Sequence, residues 1–288
     1  MLLIADNWKD FALLDAGENE KIERWGKYIL RRPDPQAIWP KDNQKIWNKY
    51  DGYYERSQSG GGKWRVANFP ESWTIKYKEL TFLIKPTGFK HTGLFPEQAV
   101  NWDFLIEKIQ KANRPIRVLN LFAYTGGATV ACAFAGAEVT HVDSAKGVVQ
   151  WAKENIALSN LSDRKVRFII DDVIKFVQRE IRRGNKYDAI IMDPPVFGRG
   201  TSNEVWRIEE KLVDLINLTL EVISDNPLFY IINSYTSAFS PIVLHNVMET
   251  TVNKSYPGKL TSGEIGLRIQ SSNLILPCGI FSRWEQEL

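Results

Sequence analysis

Cysteine and histidine are scarce in the 288-residue sequence, which has two cysteines and three histidines. Cys132 and Cys278 are far apart, and each lies in an apolar stretch. This pattern predicts two buried thiols in a reducing compartment rather than a disulfide framework. A structural zinc site needs about four such ligands in one place, so we expect no bound metal.

Long apolar runs are also missing. No stretch approaches the roughly 20 apolar residues of a membrane helix. The first residues lack the basic flank and the small-residue cleavage site of a signal peptide. The sequence therefore predicts a soluble, cytoplasmic protein.

The chain has little excess charge of either sign. Its 37 basic and 34 acidic residues give a net charge of +3, and the whole excess lies in residues 1–100. A protein that depends on phosphate contacts usually carries more positive charge. Composition therefore permits a nucleic-acid partner without requiring one.

Residues 1–95 predict a small β-rich domain. Short alternating stretches such as residues 27–32 and 73–86 indicate antiparallel strands, and glycine- and proline-rich turns separate them. Six of the ten tryptophans lie in this segment: Trp8, Trp25, Trp39, Trp47, Trp64 and Trp73. They form either a core or a surface on which RNA bases stack.

Residues 96–288 predict a second domain of the α/β class. After a helix over residues 96–113, apolar strands alternate with helices as far as the C-terminus. Strands that are apolar throughout indicate a mostly parallel, Rossmann-like sheet that is covered on both faces. Ligands of such sheets bind at the carboxyl ends of the strands.

The first two of these strand ends carry residues suited to a nucleoside ligand. Gly126 and Gly127 open a helix whose free N–H groups would hold an anion, although close packing explains two glycines equally well. Asp143 ends the next strand, where a carboxylate accepts from ribose hydroxyls or, alternatively, caps a helix. The dinucleotide pattern G-x-G-x-x-G is missing, which disfavours a nicotinamide-dependent dehydrogenase.

The next two strand ends are acidic. In residues 169–173, IIDDV, one of Asp171 and Asp172 is expected to accept from an adenine amino group and the other to cap the following helix. In residues 190–200, IIMDPPVFGRG, an apolar strand ends in Asp193 and two prolines. The prolines fix the backbone, so that the carboxylate and a carbonyl face a planar, amino-bearing acceptor over which Phe197 stacks.

Four segments in this order resemble the class I methyltransferases that use S-adenosylmethionine: residues 120–130, 140–161, 169–176 and 190–198. The similarity covers about residues 85–288. Within this superfamily the sequence resembles the large-subunit ribosomal RNA methyltransferases that modify cytosine C5 or guanine N7, in a branch without the pseudouridine-synthase-type RNA-binding domain. The resemblance implies a sheet whose last strand is antiparallel, and S-adenosylhomocysteine as a product.

The resemblance also implies which residues bind the cofactor. It assigns the methionine part to Asn120, Phe122, Ala123, Tyr124, Thr125, Gly126 and Gly127. It assigns the ribose to Asp143, with Ser144 beside it, and the adenine to Asp172, with Asp171 beside it. Thr92, Phe95 and Gln98, in the segment before the first strand, would line the same pocket. Relatives often have Asp-Gln-Arg where this chain has Glu97, Gln98 and Ala99, so one arginine contact is missing.

The methyl acceptor is assigned to the segment that contains Asp193, Pro194, Pro195 and Phe197, of which Asp193 also contacts the cofactor. Cytosine-C5 enzymes of the resembled family have a cysteine nucleophile on the fifth strand, where this chain has Ser234. Because C5 becomes nucleophilic only after a thiolate adds to C6, we disfavour carbon methylation. A base nitrogen needs mainly correct positioning.

The sequence thus predicts an S-adenosylmethionine-dependent methyltransferase that acts on a base nitrogen of RNA, ribosomal RNA being the expected substrate. Two alternatives remain open. One keeps the fold and the cofactor but methylates a small molecule or a protein side chain. The other is a nucleotide- or RNA-binding module without catalysis, against which the acids at the strand ends argue.

Overall fold

The computed structural model describes residues 1–57, 61–88, 91–199, 205–236 and 238–287. The strands are β1 (Leu2–Ile4), β2 (Phe11–Gly17), β3 (Glu20–Trp25), β4 (Tyr28–Pro33), β5 (Gly52–Arg56), β6 (Gly62–Ala67), β7 (Trp73–Tyr77), β8 (Leu80–Ile84), β9 (Arg117–Leu121), β10 (Glu138–Asp143), β11 (Val166–Ile170), β12 (Ala189–Met192), β13 (Phe197–Arg199), β14 (Val205–Arg207), β15 (Phe229–Ser234), β16 (Lys259–Arg268) and β17 (Ile275–Glu285). The helices are α1 (Ala99–Lys111), α2 (Gly127–Phe134), α3 (Lys146–Leu158), α4 (Val173–Arg182), α5 (Ile208–Leu220) and α6 (Pro241–Met248).

The chain divides into two compact units. The sheet unit comprises Met1–Leu3, Asn101–Ile265 and Gly279–Leu288, and the N-terminal unit comprises Ile4–Val100 and Gly266–Cys278. The domain boundary expected between residues 95 and 96 stays a prediction.

The main sheet has the strand order β1-β16-β17-β15-β12-β9-β10-β11. Its centre is parallel, from β15 through β12, β9 and β10 to β11. β17 is antiparallel to β15 and lies between β15 and β16. The mostly parallel sheet with an antiparallel last strand is therefore confirmed. None of the helices in the described ranges is long and apolar enough to cross a membrane.

β16 is a strand that the sequence analysis leaves out. Its sequence, KLTSGEIGLR, contains Ser262, Gly263 and Glu264 in place of a continuous apolar run. Gly263 lies against the backbone of Met1, and a Cβ at this position would overlap that backbone. The strand is specified by tertiary pairing, which a one-dimensional pattern does not record.

The central parallel strands of the main sheet are buried. Every residue of β12 and β15 is buried, as expected for strands covered on both faces. The core beside them includes Phe176 of α4 and Leu212 of α5. Because each fully buried side chain of this size contributes about 1.5–3 kcal/mol, this packing fixes the strands whose ends form the candidate site.

The N-terminal unit contains a five-stranded sheet with the order β2-β3-β4-β5-β6 and the hairpin β7-β8. Neighbouring strands are antiparallel except β4 and β5. The β-rich N-terminal segment is therefore confirmed. Asp15, a buried residue of β2, accepts hydrogen bonds from the Trp47 indole at 2.8 Å, the Asn43 N–H at 3.1 Å and the Ser271 hydroxyl at 2.9 Å.

The six tryptophans of this unit are structural. Trp25 and Trp47 are buried, and the other four are half-buried. Every indole N–H has an acceptor within the unit: Pro96 O for Trp8, Glu23 for Trp25, Ala16 O for Trp39, Asp15 for Trp47, Thr87 O for Trp64 and Trp25 O for Trp73. Trp25 and Trp47 therefore belong to the core, and the other four indoles are held in place by hydrogen bonds within the unit.

Candidate active site

The parallel register brings four strand ends to one edge of the sheet. Leu121, which ends β9, pairs with Val142 on one side and with Met192, which ends β12, on the other. On the far side of β10, Asp143 pairs with Ile170. The residues that follow these strands, including Asp193, therefore leave the sheet at its carboxyl edge. The expected convergence of the motifs holds in the sheet unit.

The loop after β9 has an unusual backbone. Phe122, Tyr124 and Gly126 have positive φ angles of 52°, 49° and 82°. For residues other than glycine this conformation costs on the order of 1 kcal/mol each. Such strain persists only where the surroundings hold it, and it concentrates at ligand sites. The loop delivers the chain to Gly127, where α2 begins.

Gly126 and Gly127 have packing reasons of their own. A Cβ on Gly126 would lie 3.0 Å from Ala152 Cβ, and a Cβ on Gly127 would lie 2.8 Å from the Trp102 ring. The glycines thus allow α2 to start close to α3 and to Trp102. The first N–H groups of a helix have no partner within the helix, and no side chain caps α2. This helix start therefore suits the carboxylate of a bound amino acid moiety.

A buried polar network holds the loop after β9 in place. Asn120 donates to the Thr129 hydroxyl at 2.9 Å, and this hydroxyl lies 2.9 Å from His141 Nδ1. Asn155 donates to the Thr125 carbonyl at 2.8 Å. Burial lowers the pKa of His141 to about 3, so the imidazole is neutral. The Asn120 side chain is thus part of the support, and its expected cofactor contact stays a prediction.

Sequence reasoning missed Thr129, His141 and Asn155. One signal was present, because His141 lies in the buried interior of β10, residues 139–142. A buried histidine in a strand requires a polar partner. His141 Nε2 has no hydrogen-bond partner within the described ranges.

Asp143 is half-buried at the end of β10. Its Oδ2 accepts from the Tyr124 N–H at 3.0 Å and its Oδ1 accepts from the Ala145 N–H at 2.9 Å. It does not cap α3, whose N-cap residue is Ala145 and which has no side-chain cap. Each carboxylate oxygen can accept more than one hydrogen bond, so Asp143 keeps acceptor capacity for ribose hydroxyls. Ser144, next to it, is exposed.

Asp171 and Asp172 have different partners and therefore different roles. Asp172 caps α4 by accepting from the Lys175 N–H at 3.0 Å. Asp171 accepts from the Asp172 N–H at 2.8 Å and forms an ion pair with Arg179. The residue that the resemblance assigns to adenine is therefore also the helix cap, and adenine contacts by either acid stay predictions.

The acceptor segment leaves β12 through Asp193 and the buried Pro194. Phe197 then begins the short hairpin β13-β14, and it is 54% exposed. An exposed phenyl ring a few residues after a carboxylate at the sheet edge suits stacking on a flat, polar ring. The role of each of these residues in catalysis remains a prediction.

The hairpin also presents Trp206, which the sequence analysis missed. Its indole N–H donates to the Pro195 carbonyl at 2.6 Å. Its ring lies against Phe122, with centroids 5.6 Å apart. Trp206 therefore touches both the acceptor segment and the loop after β9.

The fifth strand end carries no thiol. Ser234 is buried at the end of β15, where its hydroxyl accepts from the Thr236 N–H at 3.5 Å. Its neighbour Asn233 accepts from Asn101 at 2.9 Å, and Asn101 accepts from Arg283 at 2.8 Å. Burial lowers the pKa of Arg283 to about 10, where it is still charged at neutral pH. The end of β15 is thus held by a polar network.

Both thiols of the chain are unsuited to nucleophilic attack. Burial raises the pKa of Cys132 and of Cys278 above the usual range, and a thiol of high pKa is a poor source of thiolate. Cys132 is buried as expected. The prediction for Cys278 was wrong in part, because it is only half-buried. Residues 277–279 of β17 are all half-buried, which its apolar sequence did not reveal.

The segment before the first strand belongs to the N-terminal unit. Thr92 is buried, and its hydroxyl has no hydrogen-bond partner in the part of the chain that the structure describes. Phe95 lies against His91, with ring centroids 5.3 Å apart. Gln98 ends a 3₁₀ turn that starts at Pro96. Their expected cofactor contacts stay predictions.

Comparisons with known proteins agree with this geometry. A family model described as S-adenosylmethionine-dependent methyltransferase matches residues 50–235. A "Ribosomal RNA large subunit methyltransferase K/L" of Shewanella frigidimarina is 32% identical over 196 residues, which are 67% of this chain and 25% of that protein. The chain thus spans about a quarter of the length of the curated relatives that it matches.

Two solved structures show the same fold. The SAM-dependent methyltransferase from Agrobacterium tumefaciens has a TM-score of 0.94 at 38% identity, over 100% of this chain and 94% of that one. The methyltransferase SMU.776, solved as a complex with SAH, has a TM-score of 0.73 at 21% identity, over 97% and 76% of the two chains. The expected Rossmann-like fold and the expected cofactor, S-adenosylmethionine, are confirmed. Because the family model matches residues 50–235 and the relatives above share its sequence, the chain belongs to the S-adenosylmethionine-dependent methyltransferase family.

Proposed function

We propose that the protein transfers a methyl group from S-adenosylmethionine to a base nitrogen of RNA, and that ribosomal RNA is the substrate. The observation that carries the proposal is the pairing of Leu121 with Met192. It makes the loop after β9 and the segment that begins at Asp193 leave the sheet side by side. A donor site and an acceptor site on adjacent strand ends meet the main need of direct transfer, which is positioning.

The donor site fits the cofactor by its chemistry. The start of α2 offers N–H groups to a carboxylate, and Asp143 offers a carboxylate to hydroxyls. When bound, S-adenosylmethionine supplies a methyl group that its sulfonium already activates. The protein residues therefore need only to hold the donor, exclude water and orient the acceptor.

The acceptor site is suited to a base nitrogen. We infer that the Asp193 carboxylate and the Pro194 carbonyl accept hydrogen bonds from an amino group while Phe197 stacks on the ring. A nitrogen lone pair aligned with the methyl group needs no strong base. Carbon methylation through a thiolate is disfavoured, because neither Cys132 nor Cys278 has a lowered pKa.

The choice of RNA rests on two supports. The curated relatives are named for methylation of large-subunit ribosomal RNA. In addition, the exposed Phe197 ring suits a base presented by a large substrate better than a small molecule that must be enclosed. Such a substrate would place the reaction in the cytoplasm.

The test measures transfer of radiolabelled methyl groups from S-adenosylmethionine to ribosomal RNA, ribosomal subunits, cell protein and small metabolites. We expect label in RNA, lost in Asp193→Ala. Asp163→Ala is the matched control, because Asp163 is an exposed acid in the loop at the opposite edge of the sheet, before β11. Label only in protein or in metabolites would contradict the RNA substrate and favour the alternative acceptors. No transfer to any fraction would contradict catalysis.

A further inference from the structure

Trp206 connects two segments that no sequence motif joins. It lies in β14, opposite Gly198 of β13, and it is half-buried. One edge of its indole contacts the acceptor segment through the hydrogen bond to the Pro195 carbonyl. Its ring contacts Phe122 of the loop after β9.

In the acceptor segment, Trp206 restricts the ψ angle of Pro195. The rings of Pro194 and Pro195 fix φ at both residues. The direction of the Pro195 carbonyl then depends on ψ of that residue alone, and the indole N–H holds this carbonyl at 2.6 Å. The next carbonyl, that of Val196, accepts from the Ile208 N–H at 3.1 Å. The path of the chain from Pro195 to Phe197 is therefore set by β14 and the start of α5.

On the cofactor side, Trp206 packs on a residue with a strained backbone. Phe122 has a φ angle of 52°, which an L-residue adopts only when its surroundings compensate. The two rings are tilted by 51° with their centroids 5.6 Å apart, within the range of favourable aromatic pairs. Displacement of the indole would release a contact that holds the first residue of this loop.

We propose that Trp206 is a positioning residue. It fixes the position of the acceptor segment, residues 193–197, relative to the loop after β9. This inference rests on the proposed methyl transfer at the segment from Asp193 to Phe197. In-line transfer requires the reacting atoms to lie roughly 3–3.5 Å apart. A residue that holds both the acceptor segment and the loop after β9 therefore affects the rate of transfer without touching the reacting atoms.

Two substitutions separate the two contacts. Trp206→Phe removes the indole N–H but keeps an aromatic ring, and Trp206→Ala removes both. Trp284→Phe is the matched control, because Trp284 is a buried tryptophan of β17 that pairs with Tyr230, near the amino end of β15. The two readouts are S-adenosylhomocysteine affinity by calorimetry and turnover with the RNA that the wild type labels. Turnover is normalised to the number of sites that bind S-adenosylhomocysteine, so that misfolded protein does not lower it.

For Trp206→Phe we expect turnover per site to fall about threefold to tenfold, with cofactor affinity unchanged, because one hydrogen bond is lost. For Trp206→Ala we expect the same fall and, in addition, a roughly fivefold weaker affinity, because the contact with Phe122 is lost. Trp284→Phe should change neither quantity, although it lowers the melting temperature.

Wild-type turnover per site in Trp206→Phe would overturn the acceptor half of the inference. Wild-type affinity in Trp206→Ala would overturn the cofactor half. If the wild type labels protein or metabolites instead of RNA, the proposed substrate fails, and turnover of that acceptor tests Trp206 in the same way. If it labels nothing, the proposed function and the acceptor half fail together, while calorimetry still decides the cofactor half.

Discussion

The Asp143 carboxylate accepts a hydrogen bond from the Tyr124 N–H at 3.0 Å. The end of β10 therefore holds the loop that follows the neighbouring strand β9. The same carboxylate is the expected ribose acceptor, so we expect a single side chain both to hold the loop after β9 and to bind the ribose. Asp143 is the acid that ends β10, after a run of buried residues.

Replacement of Asp143 should weaken cofactor binding. Hydrogen bonds to a charged group contribute about 1.5–3 kcal/mol, so we expect Asp143→Ala to lower S-adenosylhomocysteine affinity by about tenfold to a hundredfold. Calorimetry measures this affinity, and Asp163→Ala, at an exposed acid in the loop before β11, serves as the control. Equal affinities of Asp143→Ala and wild type would show that the carboxylate does not bind the cofactor.

Gly127, at the start of α2, should respond to substitution differently from a helix glycine in open space. A Cβ on Gly127 would lie 2.8 Å from the Trp102 ring, whereas a Cβ on Gly147 of α3 would meet nothing within 4 Å. We expect Gly127→Ala to destabilise the fold by about 1–3 kcal/mol through overpacking. Gly147→Ala should stabilise it by about 0.5–1 kcal/mol through helix propensity. Urea unfolding measures both, and the same sign for the two variants would contradict the packing described at Gly127.

Glu180 should make stability depend on pH. Burial alone would raise the pKa of its carboxyl, but hydrogen bonds from Tyr187, Arg183 and Asn185 hold the pKa below its ordinary value of 4.5. A carboxyl with a lowered pKa in the folded state stabilises the fold fully above the unfolded value. This contribution is lost as the pH falls through 4.5 towards the folded pKa.

The variant Glu180→Gln tests this dependence. We expect it to be about 1–3 kcal/mol less stable than wild type at pH 7, because charged hydrogen bonds are lost. The difference should shrink in unfolding experiments as the pH is lowered from 4.5 through the lowered folded pKa, because the wild-type carboxyl then also becomes protonated. A difference independent of pH would mean that the charge of Glu180 does not contribute.

Asp15 should contribute to the stability of the N-terminal unit. Asp15→Ala leaves the Trp47 indole and the Ser271 hydroxyl without their acceptor, and each buried polar group left unpaired costs about 1–3 kcal/mol. We expect a melting temperature several degrees lower, measured by circular dichroism. Asp42→Ala, at an exposed acid, is the control. Equal losses in the two variants would contradict the role of Asp15.

The sequence alone was sufficient to predict the features of the fold and of the candidate site that depend on local patterns. Strands that are apolar throughout, such as β12, indicated the parallel sheet, and Asp143 and Asp193 marked the carboxyl edge at which the strand ends converge. It also left two uses open for Asp171 and Asp172, of which the structure assigns the helix cap to Asp172.

Features that depend on distant residues could not be predicted. β16 lies between β1 and β17, which are distant from each other in the chain, and it has a mixed polar sequence. Trp206 meets Pro195 and Phe122 only because two strand ends converge. The six N-terminal tryptophans were ambiguous, because a sequence does not show whether an indole N–H already has an acceptor within the fold.

The most direct test of the account identifies the methylated nucleoside. RNA labelled by the wild-type protein is digested to nucleosides and analysed by mass spectrometry, with the Asp193→Ala protein as the control. The account predicts a nucleoside that carries the new methyl group on a base nitrogen and that is absent from the control. A 5-methylcytidine product would contradict direct transfer to nitrogen, and an unmodified RNA would contradict RNA as the substrate.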